Sequence, residues 1–164
     1  MDKTPKGPKN LAAFSIVIVN YKTPDLCIDC LRSLWDIEAA ELQIVIIDNA
    51  SNDDSVEKIQ RAIAINGWRR AQLIKSANNA GFSAGNNLGI NASGSEYVLL
   101  LNSDTIVRPG AIETLVQTLQ DDPQMGMASP RLEWPDGSPQ ESCFRFHRPI
   151  NELIRSACTG PITR

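Results

Sequence analysis

Three polar clusters in this chain each follow an apolar run, and their residue types suit a ligand that carries phosphate. Tyr97-Val-Leu-Leu-Leu101 breaks into Asn102-Ser103-Asp104. Leu42-Gln-Ile-Val-Ile-Ile47 breaks into Asp48-Asn-Ala-Ser51, and Phe14-Ser-Ile-Val-Ile-Val19 into Asn20-Tyr21. A fourth cluster, Asn78-Asn-Ala-Gly-Phe-Ser-Ala-Gly-Asn-Asn87, precedes or opens a helix. A carboxylate two residues from an amide, as Asp104 is from Asn102, can reach a metal ion that carries a diphosphate. Each cluster alone reads equally well as an Asx turn or a helix cap, since Asn, Asp and Ser bond readily to nearby backbone. Four such clusters in one chain are harder to explain by turns alone.

The elements that must position them are legible. Phe14–Val19 and Leu42–Ile47 are short, β-branched and apolar on both faces, as buried strands are. Ala71–Lys75, Tyr97–Leu101 and Met125–Ser129 read as three further strands. Thr23-Pro24-Asp25 reads as a helix start: a capping hydroxyl, proline in the first turn, then an acid. That helix runs through Trp35. A second helix contains Val56, Ile59 and Ile63, after a cap at Asp54 or Ser55. A third is capped by Ser83 and runs to Ile90, and a fourth spans Pro109 to Leu119. Trp134-Pro-Asp-Gly137 is a turn at a hairpin tip, and Asn151–Ala157 a last short helix. Strands alternating with helices predict an α/β fold: a Rossmann-like, doubly wound, mainly parallel sheet. In such a sheet ligands bind beyond the carboxyl ends of the strands, where all four clusters would lie.

Bulk properties remove other classes. The 164 residues suffice for one domain with a true core. Net charge is −3 and the pI about 5.2, which disfavours nucleic acid, whose binding rests on Lys and Arg. No apolar run approaches the roughly 20 residues that span a bilayer. No cleavage site follows Leu11–Val19. The expectation is a cytoplasmic protein, with a peripheral place on the inner face of the cell membrane as its variant. Cys27-Ile-Asp-Cys30 has the spacing of redox and zinc sites, but a metal would need Cys143 and Cys158 to converge on it. A pair of small buried hydrophobes is the favoured reading. The only histidine, His147, lies among Arg145, Arg148 and Pro149 and reads as a loop residue.

Taken in order, Ser15-Ile-Val-Ile-Val-Asn-Tyr21, Ile47-Asp-Asn-Ala-Ser51, Asn79-Ala-Gly-Phe82 with Gly85-Asn-Asn87, and Leu101-Asn-Ser-Asp104 resemble the N-terminal, donor-binding half of family 2 glycosyltransferases of GT-A fold. The closest flavour is the rhamnosyltransferase-like group. The resemblance runs from about Phe14 to Ser142. Rival nucleotide folds lack their fingerprints, since neither G-x-G-x-x-G after the first strand nor G-x-x-x-x-G-K-[ST] is present. The resemblance implies a UDP- or dTDP-sugar donor, a glycan or lipid-linked acceptor, and a role in polysaccharide or glycolipid synthesis. It implies nucleotide binding by Val19, Asn20, Tyr21, Asp48 and Ser51, with the Tyr21 ring against a pyrimidine and Asp48 accepting from the base or ribose. Asn79, Gly81, Asn86, Asn87, Asn102, Ser103 and Asp104 would surround the diphosphate and donor sugar. Asp104 would bind Mg²⁺ or Mn²⁺. Asn102 stands where the family more often has Asp, and Asn86 where many members have Arg.

The same resemblance implies a gap. An inverting transferase needs a carboxylate base to deprotonate the acceptor hydroxyl, and the family carries it in the second half of the domain. After the Asp136-Gly137 turn the only acids are Glu141 and Glu152, neither in a matching motif. The expected organisation is a disordered leader over 1–10, the donor-binding domain over 11–142, and the start of the acceptor side over 143–164, as if truncated. The catalytic residue is thus unassigned. Self-association or a completing partner is expected, and a noncatalytic nucleotide-sugar-binding or assembly module is the alternative.

Overall fold

A computed structural model describes residues 12–37 and 41–140. The calls on Cys143, Cys158, His147, Glu141, Glu152 and the helix over 151–157 lie outside these residues, as does the 1–10 leader. The chain divides into two compact units, Met1–Ala128 and Ser129–Arg164.

The first unit alternates strand and helix: β1 (Phe14–Asn20), α1 (Pro24–Ser33), β2 (Leu42–Asp48), α2 (Ser55–Asn66), β3 (Ala71–Lys75), α3 (Phe82–Ala92), β4 (Tyr97–Asn102) and α4 (Ala111–Asp121). The four strands form one parallel sheet in the order β3-β2-β1-β4. β1 and β2 are central and covered on both faces, which is why they read as unbroken apolar runs. Ile16, Ile18, Ile44 and Ile46 face the larger core with α1, α2 and the α4 residues Ile112 and Val116. Val17, Val19, Val45 and Ile47 face the other side.

There α3 lies close, through Gly85 over Val19 and Gly89 over Val17. A Cβ at Gly89 would fall 2.2 Å from Val17 Cγ1, so only glycine lets the helix backbone approach this far. The sheet register sets Asn20 beside Asp48 and Val19 beside Asn102, so the polar strand ends finish level.

Three local expectations differ from the structure. Thr23 stands at the N-cap of α1, with Pro24 following, but makes no capping bond. Its hydroxyl is drawn instead to Asn20 Oδ1 at 3.3 Å. Ser83 lies inside α3, whose cap is Gly81 at φ +93°, a conformation that Ser would adopt only under strain. Met125–Ser129 forms no strand. A strand needs a ladder partner for its N–H and C=O groups, and no described strand pairs with this segment. In the second unit the expected turn does form. Trp134 N–H donates to Ser138 O (2.8 Å), Gly137 N–H donates to Trp134 O (2.8 Å), and Glu133 bridges Pro139 in antiparallel fashion.

Candidate functional site

The chain leaves β1 toward β2 on one side, and β4 lies on the other. The strand order reverses there, which opens a crevice at the carboxyl ends of β1 and β4. A cleft of about 380 Å³ occupies that crevice. From the end of β1 and the start of α1 come Val19, Tyr21, Thr23 and Leu26. From beyond β4 come Asn102, Ser103 and Asp104. Asn49, Asn79 and Phe82 close the third side. Tyr21 is 44% exposed and Phe82 54%, so both rings offer faces to a ligand. The Lys22 ammonium stands 5.2 Å from the centre of the Tyr21 ring. Asp104 is the one acid among the described residues lining the cleft.

Beneath the cleft a buried polar network joins the first two strand ends. Asn20 and Asp48 are fully buried and Ser51 nearly so. Asp48 Oδ1 accepts from Asn20 Nδ2 (2.9 Å) and from the Ser51 hydroxyl, and its Oδ2 accepts from Ser51 N–H (3.1 Å). Lys22 N–H also donates to Ser51 Oγ, at 3.0 Å. These bonds hold two tight corners, where Lys22, Ala50 and Asn52 all have positive φ near +50 to +60°. Backbone strain of this kind costs of order 1–3 kcal/mol per residue and persists only where surrounding structure fixes it.

A second set of amides shapes the loop before α3. Asn49 Nδ2 donates to Asn79 Oδ1 (2.8 Å) and to Gly81 O (3.2 Å), and Gly81 N–H donates to Asn79 Oδ1 (3.0 Å). The α3 N-terminus has neither a side-chain cap nor an acid in its first turn, so its backbone donors are left for an acceptor. One turn inside α3, Asn86 is 4% exposed and its Oδ1 is buried without a hydrogen-bond partner.

Of the residues singled out in the sequence, Val19, Tyr21, Asn79, Asn102, Ser103 and Asp104 meet in the cleft wall. Asn20, Asp48 and Ser51 do not line it. They bond to one another beneath it, Asp48 accepting from both Asn20 and Ser51. Gly81 fixes the loop, and neither Asn86 nor Asn87 belongs to the wall. The sequence reading missed four wall residues. Thr23 was taken for a cap, and Leu26, in the first turn of α1, is 47% exposed. Asn49 and Phe82 lay inside quoted motifs without a role.

Cys27 and Cys30 are free and fully buried. Burial pushes both thiols up to about 12. Among the described residues no group of His, Cys, Asp and Glu could hold a metal ion by itself. Both pack in the apolar core, with Cys30 also close to the site: its Sγ lies 3.7 Å from Asn102 O.

The glycosyl transferase family 2 model matches residues 15–146, which takes in every strand end that shapes the cleft. The chain belongs to glycosyl transferase family 2. Among curated members it is 27% identical to the glycosyltransferase GlyG of Streptococcus pneumoniae over 107 residues, covering 65% of this chain and 35% of GlyG. Two solved structures share the fold. One is the mannosyltransferase PcManGT from Pyrobaculum calidifontis, in complex with GDP-Man and Mn²⁺ (TM-score 0.66, 18% identity, 76% of this chain and 38% of that one). The other is residues 1–349 of S. aureus TarS in complex with UDP-GlcNAc (TM-score 0.58, 18% identity, 66% and 31%). This family 2 chain thus spans about a third of the length of these relatives. Its four-stranded parallel sheet with flanking helices is the Rossmann-like part of the GT-A fold.

Proposed function

We propose that this chain binds a nucleotide sugar in the β1–β4 cleft and forms the donor half of an inverting glycosyltransferase that extends a polysaccharide or glycolipid. The observation that carries the reading is the convergence of an exposed aromatic, Tyr21, with Asn102, Ser103 and Asp104 across one switch-point crevice. The Tyr21 ring supplies a flat apolar face for a base, and a ring face suits a planar ligand. We favour UDP or dTDP as the nucleotide.

Asp104 and Asn102 supply one carboxylate and one amide oxygen. That donor set is hard and sparse, so it fits Mg²⁺ or Mn²⁺ only when diphosphate oxygens and water complete the shell. A bound divalent ion would neutralise charge on the departing nucleoside diphosphate. The side chains do the remaining work. Asn79 holds the loop that carries Phe82 against the cleft, and the uncapped start of α3 offers backbone N–H donors. The Asp48 network keeps Tyr21 at its strand end.

The test is isothermal titration of UDP and dTDP, with GDP as comparison, in Mn²⁺ and in EDTA. Metal-dependent binding that Asp104→Ala abolishes, with pyrimidine preferred, is the expected result. Equal affinity in EDTA would sink the role of Asp104. The second reading is a noncatalytic nucleotide-sugar-binding module. It draws on one observation: among the described residues lining the cleft, Asp104 is the one acid. Acceptor-dependent product from this 164-residue chain would exclude it, and we expect little or none.

A further inference from the structure

We propose that Ser33 and Cys30 of α1 are positioning residues that set the segment carrying Asp104. The inference rests on the reading of Asp104 as the metal- and diphosphate-holding group. The segment from Asn102 to Gly110 joins β4 to α4. Its backbone bonds to itself are sparse, namely Thr105 N–H to Asn102 O at 3.2 Å and, at the far end, Ala111 N–H to Arg108 O at 3.2 Å. Three further contacts come from α1 and its N-cap. At the N-cap, Thr23 Oγ1 lies 3.4 Å from Ser103 Oγ. Two turns on, the Cys30 thiol donates to Asn102 O. At the last helical residue, Ser33 Oγ accepts from Val107 N–H at 3.0 Å.

Positions 23, 30 and 33 fall along one stripe of a helix with 3.6 residues per turn. Asp104 therefore lies between two tethered points, Ser103 before it and Val107 after it. The Ser33 bond has a defined polarity. Its hydroxyl proton is committed to Cys30 O at 2.7 Å, so a lone pair faces the Val107 N–H. Alanine would remove the acceptor and leave that half-buried N–H without a partner. Cys30 is poised the same way. Its fully buried thiol lies 3.7 Å from Asn102 O and donates to it. The wider consequence is mechanical. The helix whose first residues, Thr23 and Leu26, line the donor cleft also sets the carboxylate on its opposite side.

The readout that separates positioning from plain stability is the gain in UDP affinity on adding Mn²⁺. A neutral hydrogen bond of this kind is worth about 0.5–1.5 kcal/mol, or about two- to ten-fold in an equilibrium. Ser33→Ala should cut the Mn²⁺-dependent gain by about two- to ten-fold and leave UDP affinity in EDTA unchanged. Ser33→Thr keeps the oxygen in helical reach of the same carbonyl and should restore the gain. Cys30→Ala gives a second, independent perturbation of the same segment with the same expected loss. An undiminished gain in folded Ser33→Ala and Cys30→Ala would overturn the proposal, and so would an equal loss in EDTA and in Mn²⁺. A wild-type protein that binds UDP with no Mn²⁺ gain would instead overturn the reading of Asp104, and this inference with it.

Discussion

Gly89→Ala is the sharpest probe of how the cleft is assembled. In an exposed helix, replacing glycine by alanine stabilises by about 1 kcal/mol through helix propensity. Here the new methyl would stand 2.2 Å from Val17 Cγ1, 3.0 Å from Cγ2 and 3.2 Å from Cβ. Ordinary contact begins at 3.4 Å, so the closest pair overlaps by the difference, about 1.2 Å. Val17 cannot yield, because it is fully buried in the middle of a central strand. The helix must lift instead, and α3 carries Phe82 in the cleft wall. Overpacking of this kind costs about 1–3 kcal/mol. Set against the propensity gain, the net expectation is a loss of up to about 2 kcal/mol, with weaker nucleotide binding.

Gly85→Ala is the internal control. Its methyl would sit 3.0 Å from Val19 Cγ1, a contact that a few tenths of an ångström relieve, so its stability should change little. Urea unfolding followed by circular dichroism gives each value. Val17→Ala removes both offending methyls, so the double variant Val17→Ala/Gly89→Ala should be more stable than additivity requires, by about 1 kcal/mol or more. If Gly89→Ala stabilised the protein as an exposed helical glycine does, the close approach of α3 to β1 would be refuted.

Two further outcomes follow from buried groups. Cys27 and Cys30 rise from an ordinary value of 9.0 to about 12 because burial penalises the thiolate. Unfolded thiols ionise first, so the folded state binds more protons above about pH 9, and the stability carried by these thiols falls as pH rises from there toward 12. A thermal-denaturation series above pH 8 should therefore decline less steeply in Cys27→Ala/Cys30→Ala; parallel slopes would contradict the assignment. For Asn86, the unpartnered Oδ1 is a standing cost of about 1–3 kcal/mol. Asn86→Leu should leave the melting temperature unchanged or raise it. A sharp drop in melting temperature would show that the amide already has a partner.

The strands, the order of elements and the polar strand ends were open to sequence reading because each is written in local pattern. A central parallel strand buries both faces, so Phe14–Val19 and Leu42–Ile47 show unbroken β-branched runs, and the β1–β2 ladder closes on the Asn20–Asp48 pair. The choice between strand and coil for Met125–Ser129 was not local. Apolar composition permits a strand, and only a neighbour with free backbone groups makes one. Nor was the division of labour among the polar residues local. Asp48 and Asp104 both close an apolar run, yet register puts Asp48 beside Asn20, where Ser51 completes its bonds underneath, and leaves Asp104 exposed beyond the edge. Thr23 carried every mark of a cap, but the hydroxyl turned to the strand ends because Asn20 and Ser103 stood within reach. Sequence thus determined which residues lie at the carboxyl end of the sheet. Which of them line the cleft and which hold the others in place was decided by the strand order, because a crevice forms only where β1 parts its neighbours to opposite sides.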